Sequence, residues 1–546
     1  SRQRKIKERS AMEETFESAK SLDEMLKAFE AMEASFDEKD LGLACLKIGL
    51  KLDEEDEDHE KTLHFAQRAY RSLSHAADDC SDRFSLPVAM TLQLLGSSSF
   101  KLNRFNDSLG YLNRANRLLS KLEMENPSSS DHISPVLHAV HLELFNVKTA
   151  VGRREDAIFH LKKALEIKEK TLEDNSRELG KANRDLAEAY AAVLNFKEAL
   201  PHCLKALEIH RENLGDSSVE VAFDRKVLGV LYTGLERHVE ALEQNRLSQK
   251  VLKKWGLASD LLRGEIEAAN MQIALGRYEE AIDTLKGVVQ QTDKDGEHRA
   301  AIFVSMAKAL CNQEKFNDAR RCLEISNGIL GKNEKHSPLS ISEAYTEIAM
   351  LYETMNEFEA AISSLKRSLH LLENNLPQEH HSAGSVSARI GWLLLLTGSV
   401  DEAIPYLEDA AERLKESFGS KHYGIGYVYN NLGAGYLELG RAESAAQAFG
   451  YAKEIMDESL GPQHVDSIEA CQNLSKAYAA MGSYPLALNF QEKAVEAYEG
   501  YGAGAEEELR EAIRVLDELK EKASAAVAET LIQELVEETL NDDPQS

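Results

Sequence analysis

Hydrophobic and small residues recur along this chain at the three- and four-residue spacing of helices, and one longer pattern returns about every 42 residues. In its clearest copy the pattern runs from Leu432 and Gly433 through Tyr436 to Ala445. A small residue marks the centre of each copy: Ser108, Ala157, Ala199, Ala241, Ala281, Ala319, Ala361, Ala403, Ala445 and Ala487, with a degenerate copy at Thr62. Such a period predicts a repeat array, not the three or four domains that 546 residues otherwise suggest.

Each copy is predicted to be a pair of helices joined by a tight turn. Around Ala445, apolar residues at helical spacing over 427–438 predict a first helix, and a second helix is expected from 442 to about 456. Gly440 supplies the positive φ that the end of the first helix requires. Because one pair cannot bury its own apolar face, neighbouring pairs must stack, which predicts an all-α solenoid of about eleven helix pairs.

Both ends of the chain depart from the repeat pattern. Ser21 and Glu24 form a capping box that opens an amphipathic helix, and residues 1–40 are predicted to be an N-terminal helical extension. Residues 41–500 are the repeat array, and 501–546 are a C-terminal capping helix with an acidic tail. Leu509, Ile513, Leu516 and Leu519 form the apolar stripe of that helix, and the alternative interpretation of this stripe is a partner-binding helix.

Composition and motifs exclude several classes of function. The chain holds 64 Lys and Arg against 93 Asp and Glu, a net charge of −29, which disfavours binding to nucleic acid and to anionic membranes. The longest apolar stretch, 391–396, is far too short to cross a membrane. Six cysteines without a CxxC pair indicate buried thiols in a reducing compartment. These are Cys45, Cys80, Cys203, Cys311, Cys322 and Cys471.

No constellation of catalytic or metal-binding residues is evident. His380, His422 and His464 lie one repeat apart in successive inter-repeat loops, so they are expected to serve loop packing and helix-end hydrogen bonds and not to converge on a metal ion. A phosphate-binding glycine loop is also missing. The sequence therefore predicts a protein that is not an enzyme and that takes no cofactor.

The repeat pattern resembles that of tetratricopeptide repeats. The inter-repeat segments 460–464 and 418–422 and the run Asn430-Asn431-Leu432 are similar to segments of kinesin light chains, and over roughly residues 40–500 the chain resembles the plant kinesin-light-chain-related proteins. It departs from them in lacking a proline after each loop histidine and a heptad-rich N-terminal segment. The resemblance implies a right-handed α-solenoid of tetratricopeptide-like helix pairs with N- and C-terminal capping helices.

That resemblance also implies an adaptor that binds peptide segments of partner proteins, including cytoskeletal or cargo-linked proteins, in a concave groove lined by the first helices. Counting back eleven, fourteen and fifteen positions from each central residue gives the expected groove. Its candidate site comprises Arg389, Trp392, Asn430, Asn431, Asn473 and Lys476. Asparagine amides can hydrogen-bond a peptide backbone, Trp392 offers an apolar anchor, and Lys or Arg would favour acidic flanks. An ordinary solvated face is the alternative.

The same positions in earlier repeats hold Arg184, Asp185, Glu188, Lys226 and Glu267. A cytoplasmic location is expected. The alternative is an assembly or maintenance factor of a chloroplast or mitochondrion. The chain begins at Ser1, and its first seven residues include the basic residues Arg2, Arg4, Lys5 and Lys7, as expected after removal of a transit peptide. Helical-repeat RNA binding is a further alternative, and it requires a continuous basic groove.

Overall fold

The computed structural model describes residues 2–79, 85–378 and 380–541, and in these residues every regular element is a helix. Cys80 and the acidic tail that follows Asn541 lie outside the described residues. The chain divides into two compact units, unit 1 (Ser1–Thr284) and unit 2 (Leu285–Ser546).

The helices of unit 1 follow one another with short connections. They are α1 Arg2–Glu17, α2 Leu22–Glu33, α3 Gly42–Glu55, α4 His59–Asp79, α5 Ser85–Lys101, α6 Phe105–Glu125, α7 Ser130–Ala150, α8 Arg154–Thr171, α9 Arg177–Ala192, α10 Phe196–Leu214, α11 Val219–Gly234, α12 His238–Lys254 and α13 Ala258–Ala274. Helix α14 (Tyr278–Val289) begins in unit 1 and ends in unit 2.

Unit 2 continues the same alternation. Its helices are α15 Glu297–Asn312, α16 Phe316–Asn333, α17 Pro338–Thr354, α18 Phe358–Asn375, α19 His381–Leu396, α20 Val400–Phe418, α21 Tyr423–Glu438, α22 Ala442–Leu460, α23 Val465–Ala480, α24 Tyr484–Glu499 and α25 Glu506–Asn541. The first helix of each pair packs on the second, as α21 does on α22, and each second helix packs on the next first helix. The predicted all-α, helical-repeat fold is confirmed.

The central small residues hold each pair together. All ten, from Ser108 to Ala487, are completely buried, and Thr62 of the degenerate copy is also buried. In nine of the ten copies the residue seven positions further on is also small and buried, because there the second helix meets its own first helix; in the copy of Ala281 this position holds half-buried Val288. Where that residue is serine its hydroxyl donates to a first-helix carbonyl, as from Ser248 Oγ to Ala222 O (2.7 Å) and from Ser368 Oγ to Ser342 O (2.9 Å). A larger side chain at either position would separate the two helices.

A residue in the left-handed conformation ends the first helix of ten successive pairs. This residue lies five positions before the central one in every case: Asn103, Gly152, Leu194, Glu236, Gly276, Glu314, Asn356, Gly398, Gly440 and Gly482. The prediction for Gly440 is confirmed, with φ of 73°. Glycine adopts this conformation without steric cost, whereas Leu194 and the two glutamates do so against their intrinsic preference.

The loop histidines cap helices. The Nδ1 atoms of His380, His422 and His464 accept hydrogen bonds from backbone amides at the starts of α19, α21 and α23, at 3.1–3.2 Å. The expectation of helix-end hydrogen bonding is therefore confirmed. A side chain that accepts at this position satisfies one of the otherwise unpaired amides at a helix start.

The predicted capping box and the buried thiols are also present. Ser21 Oγ accepts from the amide of Glu24, and Glu24 Oε2 accepts from the amide of Lys20. Four cysteines are buried and Cys322 is half-buried, and all five are free thiols. Desolvation raises the pKa of Cys45 and of Cys203 to about 12, so neither thiol is a thiolate at neutral pH.

Substitution of Gly433 tests the close approach of α21 and α22. A Cβ atom at this position would lie 2.5 Å from the ring of buried Phe449, so Gly433→Ala is expected to destabilise unit 2 by about 1–3 kcal/mol. Gly450→Ala is the matched control, because a Cβ atom there meets nothing within 4 Å, and it should stabilise by roughly 0.5–1 kcal/mol. Urea unfolding followed by Trp392 fluorescence in a Trp255→Phe background reports on unit 2. Equal shifts for both variants would contradict this account.

Candidate functional site

The first helices of unit 2 present one recurring exposed face, which we call the first-helix face. It comprises the positions eighteen, fourteen, eleven and seven residues before each central residue, and these are exposed or half-buried in four successive pairs. They are Glu343, Glu347, Met350 and Thr354 on α17; Ser385, Arg389, Trp392 and Leu396 on α19; Tyr427, Asn431, Ala434 and Glu438 on α21; and Glu469, Asn473, Lys476 and Ala480 on α23. Direct packing of α19 on α21 and of α21 on α23 sets these rows side by side.

Large apolar side chains stand exposed on this face. Met350 is 50% exposed, Trp392 41% and Leu396 54%. Trp392 and Leu396 are four positions apart on α19 and therefore neighbours on one side of the helix. Exposed apolar side chains grouped in this way are typical of interaction surfaces.

Arg389 is held by an ion pair with the preceding repeat. Its Nε and Nη2 atoms donate to the two carboxylate oxygens of Glu353 on α17, at 2.8 and 2.6 Å. These hydrogen bonds raise the pKa of the Arg389 guanidinium. Arg389 was expected to attract the acidic flanks of a ligand, but Glu353 already neutralises its positive charge within the repeat array.

The asparagines are partly joined to one another. Asn473 Nδ2 donates to Asn430 Oδ1 at 2.9 Å, which links α23 to α21. No hydrogen bond within the described residues involves three further side-chain groups: Asn430 Nδ2, Asn473 Oδ1 and the side-chain amide of half-buried Asn431. Side-chain donors and acceptors therefore remain on and beside this face. The structure thus brings Asn430 and Asn473 together and leaves Asn431 beside them on α21.

Carboxylates outnumber cations on the first-helix face. The Tyr427 hydroxyl donates to Asp466 at the start of α23, and this hydrogen bond raises the pKa of Tyr427 to about 12. Lys476 is exposed and lies towards α25, where the pKa of Glu511 is lowered chiefly by its hydrogen bond from Arg514 and, to a smaller extent, by the charge of Lys476. With Arg389 neutralised, the remaining charge of the face is acidic.

Unit 1 contains a second candidate site at the equivalent positions. A cavity of about 440 Å³ lies between α9, α11 and α13, and carboxylates and cations both line it. Arg184 is paired with Asp224 (3.2 Å) and Glu220 (2.7 Å), and Lys226 lies 3.8 Å from Glu267. Asp185 and Glu188 have no salt bridge within the described residues. Sequence analysis found these positions but not the ion pairs that Arg184 and Lys226 form.

Partial desolvation affects three carboxyl groups in and beside this cavity, although Asp185 and Glu188 remain exposed to solvent. Desolvation is the largest cause that raises the pKa of Asp185, of Glu188 and of Glu267, and nearby lysines and arginines compensate only in part. Such groups favour the approach of a cation, because a positive charge replaces the lost hydration.

The described residues offer little else for chemistry. No group of three or more His, Cys, Asp and Glu residues among them is arranged to hold a metal ion. No described helix has both the length and the apolar character that a membrane crossing requires.

Models of the tetratricopeptide repeat match this chain in both units, at residues 178–254, 342–371, 385–452 and 467–499. The chain thus contains tetratricopeptide repeats in both units. It resembles the kinesin light chain-related proteins of Arabidopsis thaliana. Kinesin light chain-related 1 is 26% identical over 67% of this chain and 61% of its own length, and kinesin light chain-related 2 is 26% identical over 66% and 55%. The chain spans between about half and three fifths of these relatives.

Solved structures with similarity to this chain include other repeat proteins. A putative kinesin light chain of Podospora anserina with nearly identical TPR-like repeats is 17% identical, with a TM-score of 0.29, over 44% of this chain and 97% of its own length. BtubC (BKLC) from P. vanneervenii is 16% identical, with a TM-score of 0.29, over 50% and 92%.

Neutralising Asp185 and Glu188 tests the desolvation of the unit 1 cavity. A carboxyl group whose pKa is raised on folding contributes stability at pH values below its unfolded pKa and loses it as the pH rises through the folded pKa. The double variant Asp185→Asn/Glu188→Gln should therefore raise the thermal midpoint of unit 1 slightly at neutral pH, because solvent screens groups that are this exposed, and should leave it unchanged near pH 3. Exposed Glu208 on α10 provides the control Glu208→Gln. A gain that is independent of pH would contradict the account.

Proposed function

We propose that this protein is a non-enzymatic interaction scaffold whose first-helix face in unit 2 binds an extended peptide segment of a partner protein. The observation that carries the proposal is the row of exposed Met350, Trp392 and Leu396 beside asparagine amides that retain unused donors and acceptors. Apolar anchors supply affinity, while amides can pair with any peptide backbone. The presence of tetratricopeptide repeats supports the same function.

The charge of the face defines the peptide further. Because Glu353 neutralises Arg389, the exposed carboxylates of Glu347, Glu438 and Glu469 dominate the field above the face. We therefore expect a segment that places an apolar side chain against Trp392 and carries lysine or arginine on its flanks. This preference is opposite in sign to the acidic flanks that the sequence suggested, and the ion pair is the reason.

The similarity to kinesin light chain-related proteins supports an adaptor role that links cytoskeletal or cargo-linked proteins. In that role the repeat array would hold partners and the chemistry would belong to them. A long array provides several such surfaces, and weak contacts at each would add through avidity.

Trp392 provides both the perturbation and the signal for a test. The chain contains only two tryptophans, so in a Trp255→Phe background the emission of Trp392 reports directly on the face. Peptides selected from a displayed random library against the full chain should be enriched in basic and apolar residues. Their binding should shift the Trp392 emission. In a second readout, the anisotropy of the labelled peptide, Trp392→Ala should weaken the binding about tenfold or more.

Asn430 and Asn473 are tested by the same binding assay. Asn473→Ala removes one side of the amide pair and should lower affinity by roughly 1–2 kcal/mol through lost backbone contacts. Trp255→Ala is the matched control, since Trp255 is 57% exposed but lies in unit 1. Selected peptides that bind wild type, Trp392→Ala and Asn473→Ala equally would refute the assignment of the face and leave the repeat fold intact.

A further inference from the structure

The C-terminal helix α25 has two halves with different surroundings. Its first half packs on α24, burying Ala512, Leu516 and Leu519, and Gln491 Nε2 of α24 donates to Ala512 O at 2.9 Å. These residues lie one period after Ala470, Leu474 and Ala477, which are buried on α23. The first half therefore occupies the place of one more first helix, and it closes the array.

The second half continues as helix where every preceding pair turns back. The turn position, which has positive φ at Gly440 and Gly482, corresponds to Ser524, and Ser524 is helical. It is flanked by Ala523 and Ala525, and alanine is the strongest helix former. Helix α25 consequently runs for 36 residues, and its distal half (523–541) extends about 27 Å beyond the first half at 1.5 Å per residue.

The distal half carries an exposed apolar face. From 531 to 540 every residue is exposed. The large apolar side chains, which recur at three- and four-residue spacing, are Val527, Leu531, Ile532, Leu535, Val536 and Leu540, each at least 50% exposed. A surface helix with one broad apolar side normally buries that side against another element.

The charges on the distal half all have one sign. Glu529, Glu534, Glu537 and Glu538 are its charged residues in the described part, and the chain has no lysine or arginine after Lys522. Glu529 precedes Ile532 by three positions and Glu538 follows Leu535 by three, so both carboxylates border the apolar face. A second copy of this helix would bring glutamates against glutamates, whereas a helix bordered by cations would pair with them.

We propose that the distal half of α25 pairs with an amphipathic helix of a partner protein whose apolar stripe is bordered by lysine and arginine. A cavity of about 500 Å³ lies where the distal half leaves the array, between Tyr484 and Leu488 of α24 and Val527 and Leu531 of α25. This cavity can receive an apolar side chain at one end of the paired helix. The proposal is independent of peptide binding on the first-helix face.

The test uses the full chain and three labelled synthetic peptides. The first is a helix with a leucine stripe bordered by lysine and arginine, the second has glutamate at the basic positions, and the third has serine at the leucine positions. Fluorescence anisotropy should show binding of the first peptide alone. Leu531→Ala/Leu535→Ala should weaken that binding about tenfold or more, and Glu529→Lys/Glu538→Lys should shift the preference to the glutamate peptide.

Ile513→Ala is the matched control, because Ile513 is 40% exposed on the same helix but lies in the first half, and it should leave binding unchanged. Equal binding of the lysine and glutamate peptides, or equal weakening by Ile513→Ala, would overturn the proposal. So would a concentration-dependent dimer in sedimentation that Leu531→Ala/Leu535→Ala abolishes, since a second copy would then be the occupant. Binding to anionic vesicles that depends on Leu531 and Leu535 would also overturn the proposal, because a membrane would then be the occupant in place of a protein helix.

Discussion

The contact on which this structure depends is the close approach of two helices at a side chain no larger than serine or alanine. At Ala445 and its equivalents the second helix lies directly against the first, and no water reaches the contact. Every other feature of a pair follows from that distance: the buried residue seven positions later, the left-handed turn, and the glycine at 433 beside Phe449. Protein interiors pack too densely to accommodate extra volume at such a contact.

Because similar helix pairs stack on one another, polar contacts recur between neighbouring repeats, as apolar contacts do. Ion pairs join residues 36 or 37 positions apart in neighbouring repeats, for example Arg389 with Glu353, Lys366 with Glu402 and Arg320 with Glu357. Each uses a cation that would otherwise be available to a ligand. The array thus determines which charges remain free: carboxylates remain unpaired on the first-helix face, whereas these cations are paired between repeats.

The sequence predicts the fold well because burial is periodic. The central small residues alone locate the helix pairs, and their complete burial agrees with that reading. Turns are less visible, since Leu194, Glu236 and Glu314 adopt left-handed conformations that only their packed neighbours impose. For the candidate site, periodicity locates Arg389 and Asn430 on first helices, but their partners come from adjacent repeats. A search for opposite charges at 36–37 residues would have found the Arg389 pair, whereas the contact of Asn430 with Asn473 has no such signal.

The net charge of −29 now has a structural reading. Many lysine and arginine side chains form ion pairs within the array. Unpaired carboxylates surround the exposed apolar residues of two surfaces, the first-helix face and the distal half of α25. Exposed apolar groups cost free energy that a partner can recover, and the surrounding charge selects which partner approaches. The carboxylates around these surfaces disfavour both the binding of nucleic acid and pairing with a second copy of this chain.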